Sequence, residues 1–241
     1  MTPRFLLLQA RKAGDVMAEH EHACFADALG VQPASIVVHD LLRGVPSDEQ
    51  LESVDVLLVG GSGDYGVLDD DPFIPKFIDF LADVVVPRAV PTFASCFGFQ
   101  ALVVAAGGEV VKDPLRAEVG TFDIHLTAAG TADPLLGPLA PRFPAQLGHK
   151  DRALRLPDDL VHLAGSDRVP FQAVRVRDLP IFATQFHPEL DEHANRHRFE
   201  AYIEAYQGSA VEEMDQVLNT LQPTPDATAL LPRFVEQLRG R

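Results

Sequence analysis

The sequence predicts an α/β fold: a three-layer, open and mostly parallel sheet with helices on both faces, and a mixed or antiparallel edge in its second half. Short apolar runs rich in β-branched residues alternate with helix-like segments in the first half of the chain. Strand, helix, strand in succession is typical of a parallel sheet covered by helices. After about residue 109, shorter strand-like pieces separated by turn formers indicate hairpins.

Four apolar runs in the first half predict strands buried on both faces, because continuous apolar runs of this length are typical of covered parallel strands. The runs are RFLLLQ from Arg4, ASIVVHD from Ala34, DVLLVGG from Asp55 and VPTFAS from Val90. Residues 15–29 and 72–81, which lie between these runs, carry apolar side chains at helical spacing. We therefore expect crossover helices there.

The second half predicts shorter strands followed by helices. The strand-like pieces are EVVKD, EVGTFDIHLT, PAQLGHKD, VHLAGSD, FQAVRV and PIFATQFH. Residues 191–206 look helical, and two further helical stretches, around 211–221 and 228–238, flank the loop QPTPD. We expect one domain, residues 1–208, and a C-terminal helical extension, residues 209–241, that is either a packed appendage or an interaction arm.

The composition favours a water-soluble protein that binds small molecules or a protein partner. Among 241 residues, 46% are hydrophobic, which is enough for a sizeable core. The net charge of -15, with 20 basic against 35 acidic residues, argues against nucleic-acid binding, which needs clustered Lys and Arg. Apolar runs are too short for a membrane span or a secretory signal, so we expect a cytoplasmic location without membrane contact.

The segment PTFASCFGFQAL places Cys96 at a turn from a strand into a helix. A cysteine there is either a small core residue or a nucleophile held over the carboxyl edge of the sheet, where open α/β folds bind ligands. Gly98 would relieve crowding between helix and strand, and the Phe97 N–H would face an oxyanion. The helix N-terminus favours the thiolate, and with only Cys24 as a second cysteine we expect a free, reduced thiol.

The segment TQFHPEL supplies the base that a thiol nucleophile needs. His187 and Glu189 lie two residues apart after a strand-like run, with Pro188 stiffening the link. In an extended segment this spacing puts both side chains on one face, so that the carboxylate can hold the imidazole in one tautomer. The alternative interpretation of this segment alone is a solvated loop.

Together, FASCFGFQ and TQFHPE resemble the class I glutamine amidotransferase family, whose signature is a Gly-x-Cys-x-Gly-x-Gln elbow followed by His-Pro-Glu. The resemblance covers about residues 4–206 and implies a flavodoxin-like fold. It implies that Cys96 is the nucleophile, His187 the general base and acid, and Glu189 the orienting carboxylate. The family's glutamine, a substrate-binding residue, falls on Gln100.

The glycine-rich segment LLVGGSGDYG follows a predicted strand, as the family's Gly-Gly-Pro loop does. By this resemblance the Gly61 N–H is the second oxyanion donor, opposite Phe97. A phosphate-binding loop is the alternative, but the segment lacks the Lys-Ser/Thr that contacts phosphates. The sequence departs from the family pattern at Ala94, where Gly is usual, and at Ser62, where many members have Pro.

Two further segments, AEVGTF and LGHKDRALRLP, resemble the standalone members of the family that are similar to the amidotransferase part of GMP synthase. This resemblance implies that Glu118, Gly120 and His149 lie near the mouth of the substrate site. No cofactor is expected.

Histidines raise a metal hypothesis, because His193 and His197 are four residues apart on a predicted helix and could reach one ion. No glutamate stands in the position that zinc proteases use, so a solvated helix face is the preferred interpretation and no metal site is predicted. His20 and His22 look like surface residues of the first helix, and Cys24 looks like a core residue.

The leading functional hypothesis is hydrolysis of the side-chain amide of glutamine. Ammonia would then pass to a separate synthase polypeptide, because the sequence contains no second catalytic domain and no recognisable ATP-pyrophosphatase loop. One alternative is a cysteine hydrolase that acts on another γ-glutamyl compound. The other is a binding or regulatory module of the same fold without turnover.

Overall fold

The computed structural model describes residues 3–202 and 214–239. The strands are β1 (Phe5–Gln9), β2 (Ile36–Asp40), β3 (Val56–Val59), β4 (Thr92–Ser95), β5 (Glu109–Lys112), β6 (Glu118–Leu126), β7 (Arg142–His149), β8 (Asp151–Arg155), β9 (Leu160–Ser166), β10 (Ala173–Val176) and β11 (Ile181–Thr184). The α-helices are α1 (Met17–Leu29), α2 (Asp48–Glu52), α3 (Phe73–Phe80), α4 (Phe97–Ala105), α5 (Ala128–Ala132), α6 (Glu192–Ala201), α7 (Met214–Thr220), α8 (Pro225–Thr228) and α9 (Leu230–Arg239). None of the helices in these two ranges is long and apolar enough to cross a membrane.

Nine strands form one sheet in the order β2-β1-β3-β4-β11-β10-β9-β6-β7. The first five are mutually parallel, and every pair from β11 to β7 is antiparallel. The predicted α/β class with a parallel half and an antiparallel edge is therefore confirmed. A separate antiparallel pair, β5 with β8, lies outside the large sheet, and β8 had no predicted counterpart.

The two faces of the sheet carry separate cores, because alternate side chains of a strand point to opposite faces. In β1, Leu6 and Leu8 join a cluster with α3 and α4, whereas Phe5 and Leu7 join a second cluster with α1 and α9. This alternation explains why β1 is a continuous apolar run: both of its faces are covered.

The prediction that all four strands of the first half are buried on both faces is wrong for β2. This strand lies at the edge of the sheet, and Val37 and Val38 are 55% and 42% exposed. An apolar run of this length predicts a strand, but it does not distinguish a central strand from an edge strand, because covering depends on distant segments.

The described part of the C-terminal segment packs on the sheet. In α9, Leu230, Leu231 and Phe234 are almost fully buried in the second core. The Phe234 ring lies 5.6 Å from the Phe93 ring and 5.7 Å from the Phe182 ring, measured between centroids, in edge-on geometry. Helix α9 therefore packs on the sheet as part of its helical layer, whereas predicted helical residues 203–206 and 211–213 lie outside the described ranges.

Replacing Phe234 with Ala should lower the free energy of unfolding by about 3–5 kcal/mol, because it removes a buried ring that joins α9 to β4 and β11. Glu236, exposed on the same helix, is the matched control, and its replacement by Ala should change stability by less than about 0.5 kcal/mol. Urea unfolding followed by circular dichroism measures both. Equal stability of the two variants would show that α9 does not contribute to the core.

Candidate active site

Cys96 and the His187 segment meet because β4 and β11 are parallel neighbours. The register pairs Ser95 with Thr184, and the Cys96 N–H donates a 2.8 Å hydrogen bond to the Thr184 carbonyl. Since the carboxyl ends of parallel strands lie at one edge of a sheet, the residues after β4 and after β11 emerge side by side.

Cys96 occupies a sharp turn between β4 and α4. Its backbone has φ 51° and ψ -100°, a conformation that non-glycine residues rarely adopt. Gly98 allows the helix to start against the sheet, because a Cβ at this position would lie 2.7 Å from Val59 Cγ1 and 3.0 Å from Ala94 Cβ. The strand-to-helix elbow is thus formed with Ala94 in place of the family's usual Gly.

His187 and Glu189 form a hydrogen-bonded pair. The ring Nδ1 lies 2.6 Å from Glu189 Oε1, which also accepts a 3.2 Å hydrogen bond from the Ser95 hydroxyl. The prediction that they leave an extended segment on one face is wrong, because the Leu190 N–H donates to the His187 carbonyl at 3.2 Å and closes a turn. The turn still brings the side chains together.

The proton on Nδ1 is donated to Glu189, so Nε2 is the ring nitrogen left for the nearby Cys96 thiol. Burial by itself lowers the pKa of the ring. The Glu189 carboxylate and the thiol raise it, with the result that the pKa of His187 is about 8. Burial also raises the pKa of Glu189, but the adjacent imidazole reverses this and the net pKa is lowered.

Arg198 of α6 presents a second charge to this pair. Its Nη1 lies 3.2 Å from His187 Nδ1 and 3.8 Å from Glu189 Oε1. Because Nδ1 already carries the proton given to Glu189, the guanidinium acts there as a nearby cation rather than as a hydrogen-bond donor, and it lowers the pKa of His187. Sequence reasoning missed Arg198, since a single arginine in a polar helix carries no signal.

The Gly61 N–H does not face the site in this structure. It donates a 3.0 Å hydrogen bond to Glu21 Oε1, a carboxylate of α1 that is 2% exposed. A Cβ at Gly61 would lie 2.5 Å from Arg198 Nη2 and 3.0 Å from His187 Cε1, so a larger residue here would displace the Arg198 guanidinium. The expected oxyanion arrangement is corrected accordingly: Gly61 is close to the His187–Glu189 pair, but its N–H is engaged elsewhere.

Glu21 is itself held by Arg11, whose Nη2 lies 2.9 Å from Glu21 Oε1, and by the Gln9 side-chain amide at 3.0 Å. Its only signal in the sequence is an acidic residue in line with Met17 and Cys24 on the buried face of α1. Such a residue on an apolar face needs a buried partner. That rule could have drawn attention to Glu21 but not to Gly61.

A cavity of about 430 Å³ opens in front of Cys96. Cys96, Phe97, Gln100 and His149 line it, so four of the predicted site residues face one space. The thiol residue is 6% exposed, as expected for a group at the bottom of a cleft.

Two predicted substrate-binding residues do not line the cavity. Glu118 is fully buried behind His149, whose Nε2 lies 3.0 Å from Glu118 Oε2. Gly120, with φ 112°, faces α7, where a Cβ would lie 2.2 Å from the Thr220 hydroxyl oxygen. The expectation of a position near the mouth is therefore wrong for Gly120, and Glu118 reaches the cavity only through His149.

The cavity also carries charges of both signs that the sequence reasoning did not assign. Asp64, Asp69, Lys112, Lys150 and Asp151 line its walls. Lys112 pairs with Asp69 at 2.9 Å. Burial raises the pKa of Asp151, although the nearby lysines lower it in part.

The histidines of α6 and α1 lie away from this cavity. The side chain of His193 is 84% exposed, and the centroid of the His197 ring lies 4.9 Å from that of His20. His22 bonds to the carbonyls of Pro33 and Ile36, and Cys24 is buried with its pKa raised by burial to about 12. Among the described residues no group of three or more His, Cys, Asp or Glu side chains could hold a metal ion.

A family model described as glutamine amidotransferase class I matches residues 33–203 of the chain. The chain belongs to the class I glutamine amidotransferase family. This amidotransferase is 33% identical over 144 residues to one subunit of the glutamine-hydrolyzing GMP synthase of Sulfolobus acidocaldarius, a match covering 60% of this chain and 72% of that protein.

A second relative is the glutamine-hydrolyzing GMP synthase of Thermosipho africanus, which is 32% identical over 155 residues. The match covers 63% of this amidotransferase and 28% of that protein, so the chain spans little more than a quarter of the relative's length.

Solved structures share the fold. A glutamine amidotransferase from Thermotoga maritima matches with a TM-score of 0.75 and 18% identity, covering 98% of this chain and 97% of its own. A glutamine amido transferase from Methylobacillus flagellatus matches with a TM-score of 0.69 and 23% identity, covering 97% and 94%. The match in fold therefore extends over nearly the whole chain.

Two variants should move the pKa of His187 in opposite directions. Replacing Glu189 with Gln removes the carboxylate that raises the pKa from 6.5 to about 8, so the pKa should fall by roughly one unit or more. Replacing Arg198 with Met removes a cation that lowers it, so the pKa should rise. NMR titration of the ring, assigned with a His187→Asn variant, measures both.

Arg196, exposed on the same helix, is the control: Arg196→Met should leave the titration unchanged. If neither Glu189→Gln nor Arg198→Met moved the titration, these charges would not set the proton affinity of His187.

Proposed function

We propose that this chain hydrolyses the side-chain amide of glutamine through a thioester on Cys96 and releases ammonia. The observation that carries the proposal is the arrangement at the cavity floor: a thiol at a strained elbow beside an imidazole, one nitrogen of which is held by a buried carboxylate. This is the arrangement that nucleophilic catalysis by cysteine requires.

The first half of the reaction forms the thioester. Cys96 Sγ attacks the amide carbon while its proton passes to His187 Nε2, and the carbonyl electrons move onto oxygen. His187 then gives a proton to the amide nitrogen, the carbon–nitrogen bond breaks, and ammonia leaves. Glu189 keeps Nδ1 protonated throughout and stabilises the imidazolium between the two transfers.

The second half hydrolyses the thioester. Water attacks the acyl carbon while His187 Nε2 takes its proton, and the carbon–sulfur bond breaks with its electron pair returning to sulfur. Glutamate leaves. With a pKa of about 8, His187 gives and takes protons near neutral pH with little driving force lost.

The oxyanion is stabilised first by the Phe97 N–H, which follows the nucleophile and opens α4, where the helix dipole favours negative charge. Gly61 becomes a second donor only after its hydrogen bond to Glu21 is broken and its peptide turns toward the cavity.

The charged side chains on the cavity wall match a substrate that carries the α-ammonium and α-carboxylate groups of an amino acid. Glutamine carries an α-ammonium and an α-carboxylate, and Asp151 and Lys150 lie on the wall of the same cavity as Cys96. A buried carboxylate such as Asp151 gains most from a cationic partner, because burial raises its pKa in the absence of one.

The second candidate substrate is a larger γ-glutamyl compound. A cavity of about 430 Å³ lies in the size range of drug-sized ligand sites, which exceeds what glutamine alone fills. The same chemistry would then cleave a γ-glutamyl amide with a larger leaving amine.

We infer that the ammonia acceptor is a separate synthase polypeptide. The Sulfolobus acidocaldarius relative, which is named as one subunit of a GMP synthase, supports this. We also propose a cytoplasmic location, which the two unpaired thiols, Cys24 and Cys96, support because reducing compartments keep cysteines free.

Replacing Cys96 with Ala should reduce ammonia release from glutamine by roughly 10³-fold or more, because no other group can form the thioester. The matched control is Cys24→Ala, which removes the other cysteine and should retain activity. A coupled assay for ammonia with the purified chain measures both. Undiminished activity of Cys96→Ala would eliminate the proposed nucleophile.

Glutamine should be turned over with a higher kcat/KM than γ-glutamyl peptides or conjugates when each is the sole substrate. Asp151→Asn should raise the KM for glutamine because it removes the charge that binds the α-ammonium. A higher kcat/KM for a γ-glutamyl conjugate would instead identify the second candidate. Failure of Cys96 to react with a glutamine-analogue electrophile would favour a non-catalytic module.

A further inference from the structure

Gln185 lies between β11 and His187, and its side-chain amide touches the nucleophile. The residue is fully buried, and its Nε2 is 3.6 Å from Cys96 Sγ, within hydrogen-bond distance for sulfur. The mechanism above assigns no task to this side chain. Its position beside the sulfur therefore requires its own explanation.

The orientation of the Gln185 amide is fixed by a chain of hydrogen bonds that starts at a backbone carbonyl. The Asp151 carbonyl lies 3.0 Å from Gln100 Nε2 and 3.0 Å from His149 Nδ1. A carbonyl oxygen only accepts hydrogen bonds, so both nitrogens must donate to it. The amide of Gln100 therefore presents its NH₂ group on this side.

The same NH₂ group of Gln100 lies 3.2 Å from Gln185 Oε1. Turning the Gln185 amide around would place two NH₂ groups against each other and would aim an oxygen at the sulfur. The hydrogen-bonded orientation instead leaves the Gln185 NH₂ group for Cys96. The Asp151 carbonyl thus fixes the orientation of the Gln100 amide, and the Gln100 amide fixes the orientation of the Gln185 amide beside the nucleophile.

Both ends of this chain are anchored in the sheet. The Gln185 N–H donates at 2.8 Å to the Gln172 carbonyl, beside β10, so its backbone is fixed relative to Cys96. At the far end, His149 Nε2 meets Glu118 Oε2 at 3.0 Å, and Glu118 is fully buried. The amides therefore have fixed protein partners at both ends of the chain.

We propose that Gln185 is a further catalytic residue, which donates a hydrogen bond to the Cys96 sulfur and stabilises the thiolate, and that Gln100 is the positioning residue that orients it. The inference rests on the proposed function, in which the Cys96 sulfur gives up its proton and attacks the substrate. An N–H donor favours the charged sulfur over the neutral thiol or the thioester, because an anion is the stronger acceptor.

The donor acts at both steps of the reaction. It lowers the cost of forming the nucleophile before attack. When water cleaves the thioester, the electron pair of the carbon–sulfur bond returns to sulfur, and the same N–H stabilises the departing thiolate. His187 remains the group that holds or transfers the proton.

The test measures the thiolate without any substrate. In the full-length Cys24→Ala chain, Cys96 is the sole cysteine, and its alkylation rate with iodoacetamide is followed against pH. Gln185→Met keeps the length of the side chain but has no N–H donor. Its profile should shift upward by about one to two pH units, because hydrogen bonds to charged groups contribute roughly that much. Gln185→Glu keeps the shape and should shift at least as far.

The titrating groups near the sulfur are the same in the parent and in the two Met variants, whereas Gln185→Glu adds a carboxylate of its own. His187 faces it from the segment after β11, and the cavity adds Asp64, Asp69, Lys112, His149, Lys150 and Asp151, with the phenols of Tyr65 and Tyr202. A difference between the Gln185→Met profile and the parent profile therefore reports the loss of the amide. Gln100→Met should produce a smaller shift in the same direction, because Gln185 keeps its N–H but loses its orienting partner.

The matched control is Gln146→Met, which alters a fully buried glutamine that donates to the Gln222 carbonyl and accepts from Asn195. Its profile should match that of the parent. If folded Gln185→Met or Gln185→Glu also matched the parent, the proposed donor role would be wrong.

Glutamine hydrolysis is measured in parallel, so that the two proposals fail separately. Ammonia release with unshifted alkylation profiles would reject the role of Gln185 and leave the proposed function intact. Shifted profiles without ammonia release would keep the hydrogen bond to the thiolate and reject glutamine hydrolysis.

Discussion

The parallel pairing of β4 with β11 is the contact on which the candidate site depends. It places the residue after Ser95 beside the residues after Thr184, and the Cys96 N–H completes it by donating to the Thr184 carbonyl. Because side chains alternate along a strand, a slip of one residue would turn β11 over and move Gln185 and His187 away from the sulfur. The long excursion through β6, β7, β9 and β10 returns the chain to this register.

The sequence predicts which segments form strands better than it predicts which strands lie next to each other. Apolar runs bounded by turn formers locate β1 to β4, and the change in texture after residue 109 indicates the antiparallel half, since both signals are local. Whether a run lies at the centre or the edge depends on distant segments. For that reason the sequence predicts a covered β2, and it groups β11 with the hairpins although β11 pairs in parallel with β4.

The residues of the site also include some that the sequence predicts and some that it does not. Motif spacing indicates Cys96, His187 and Glu189, because a nucleophile, a base and an orienting acid are chemically interdependent, and the structure brings them together. Arg198 and the partners of Glu21 could not be predicted, because a buried ion partner is recognised only when the opposing segment is known. Gly120 is expected near the substrate site but lies elsewhere. Glycine is needed at this position because φ is positive and the backbone contacts α7, which is a structural rather than a functional constraint.

The buried charges beside the site also bear on how Gly61 could serve an oxyanion. Glu21 holds the Gly61 N–H, but it also accepts hydrogen bonds from Arg11 and from the Gln9 amide at 2.9 and 3.0 Å. If the Gly61 peptide turned toward the cavity, the carboxylate would keep these partners, so no buried charge would be left unpaired. The energetic cost of freeing this N–H is therefore far smaller than the cost of burying an unpartnered carboxylate.

The same carboxylate lies 3.9 Å from Arg198, whose other nitrogen contacts His187. A turn of the Gly61 peptide would thus remove one partner of Glu21 and draw Arg198 toward that carboxylate, away from the imidazole whose pKa it lowers.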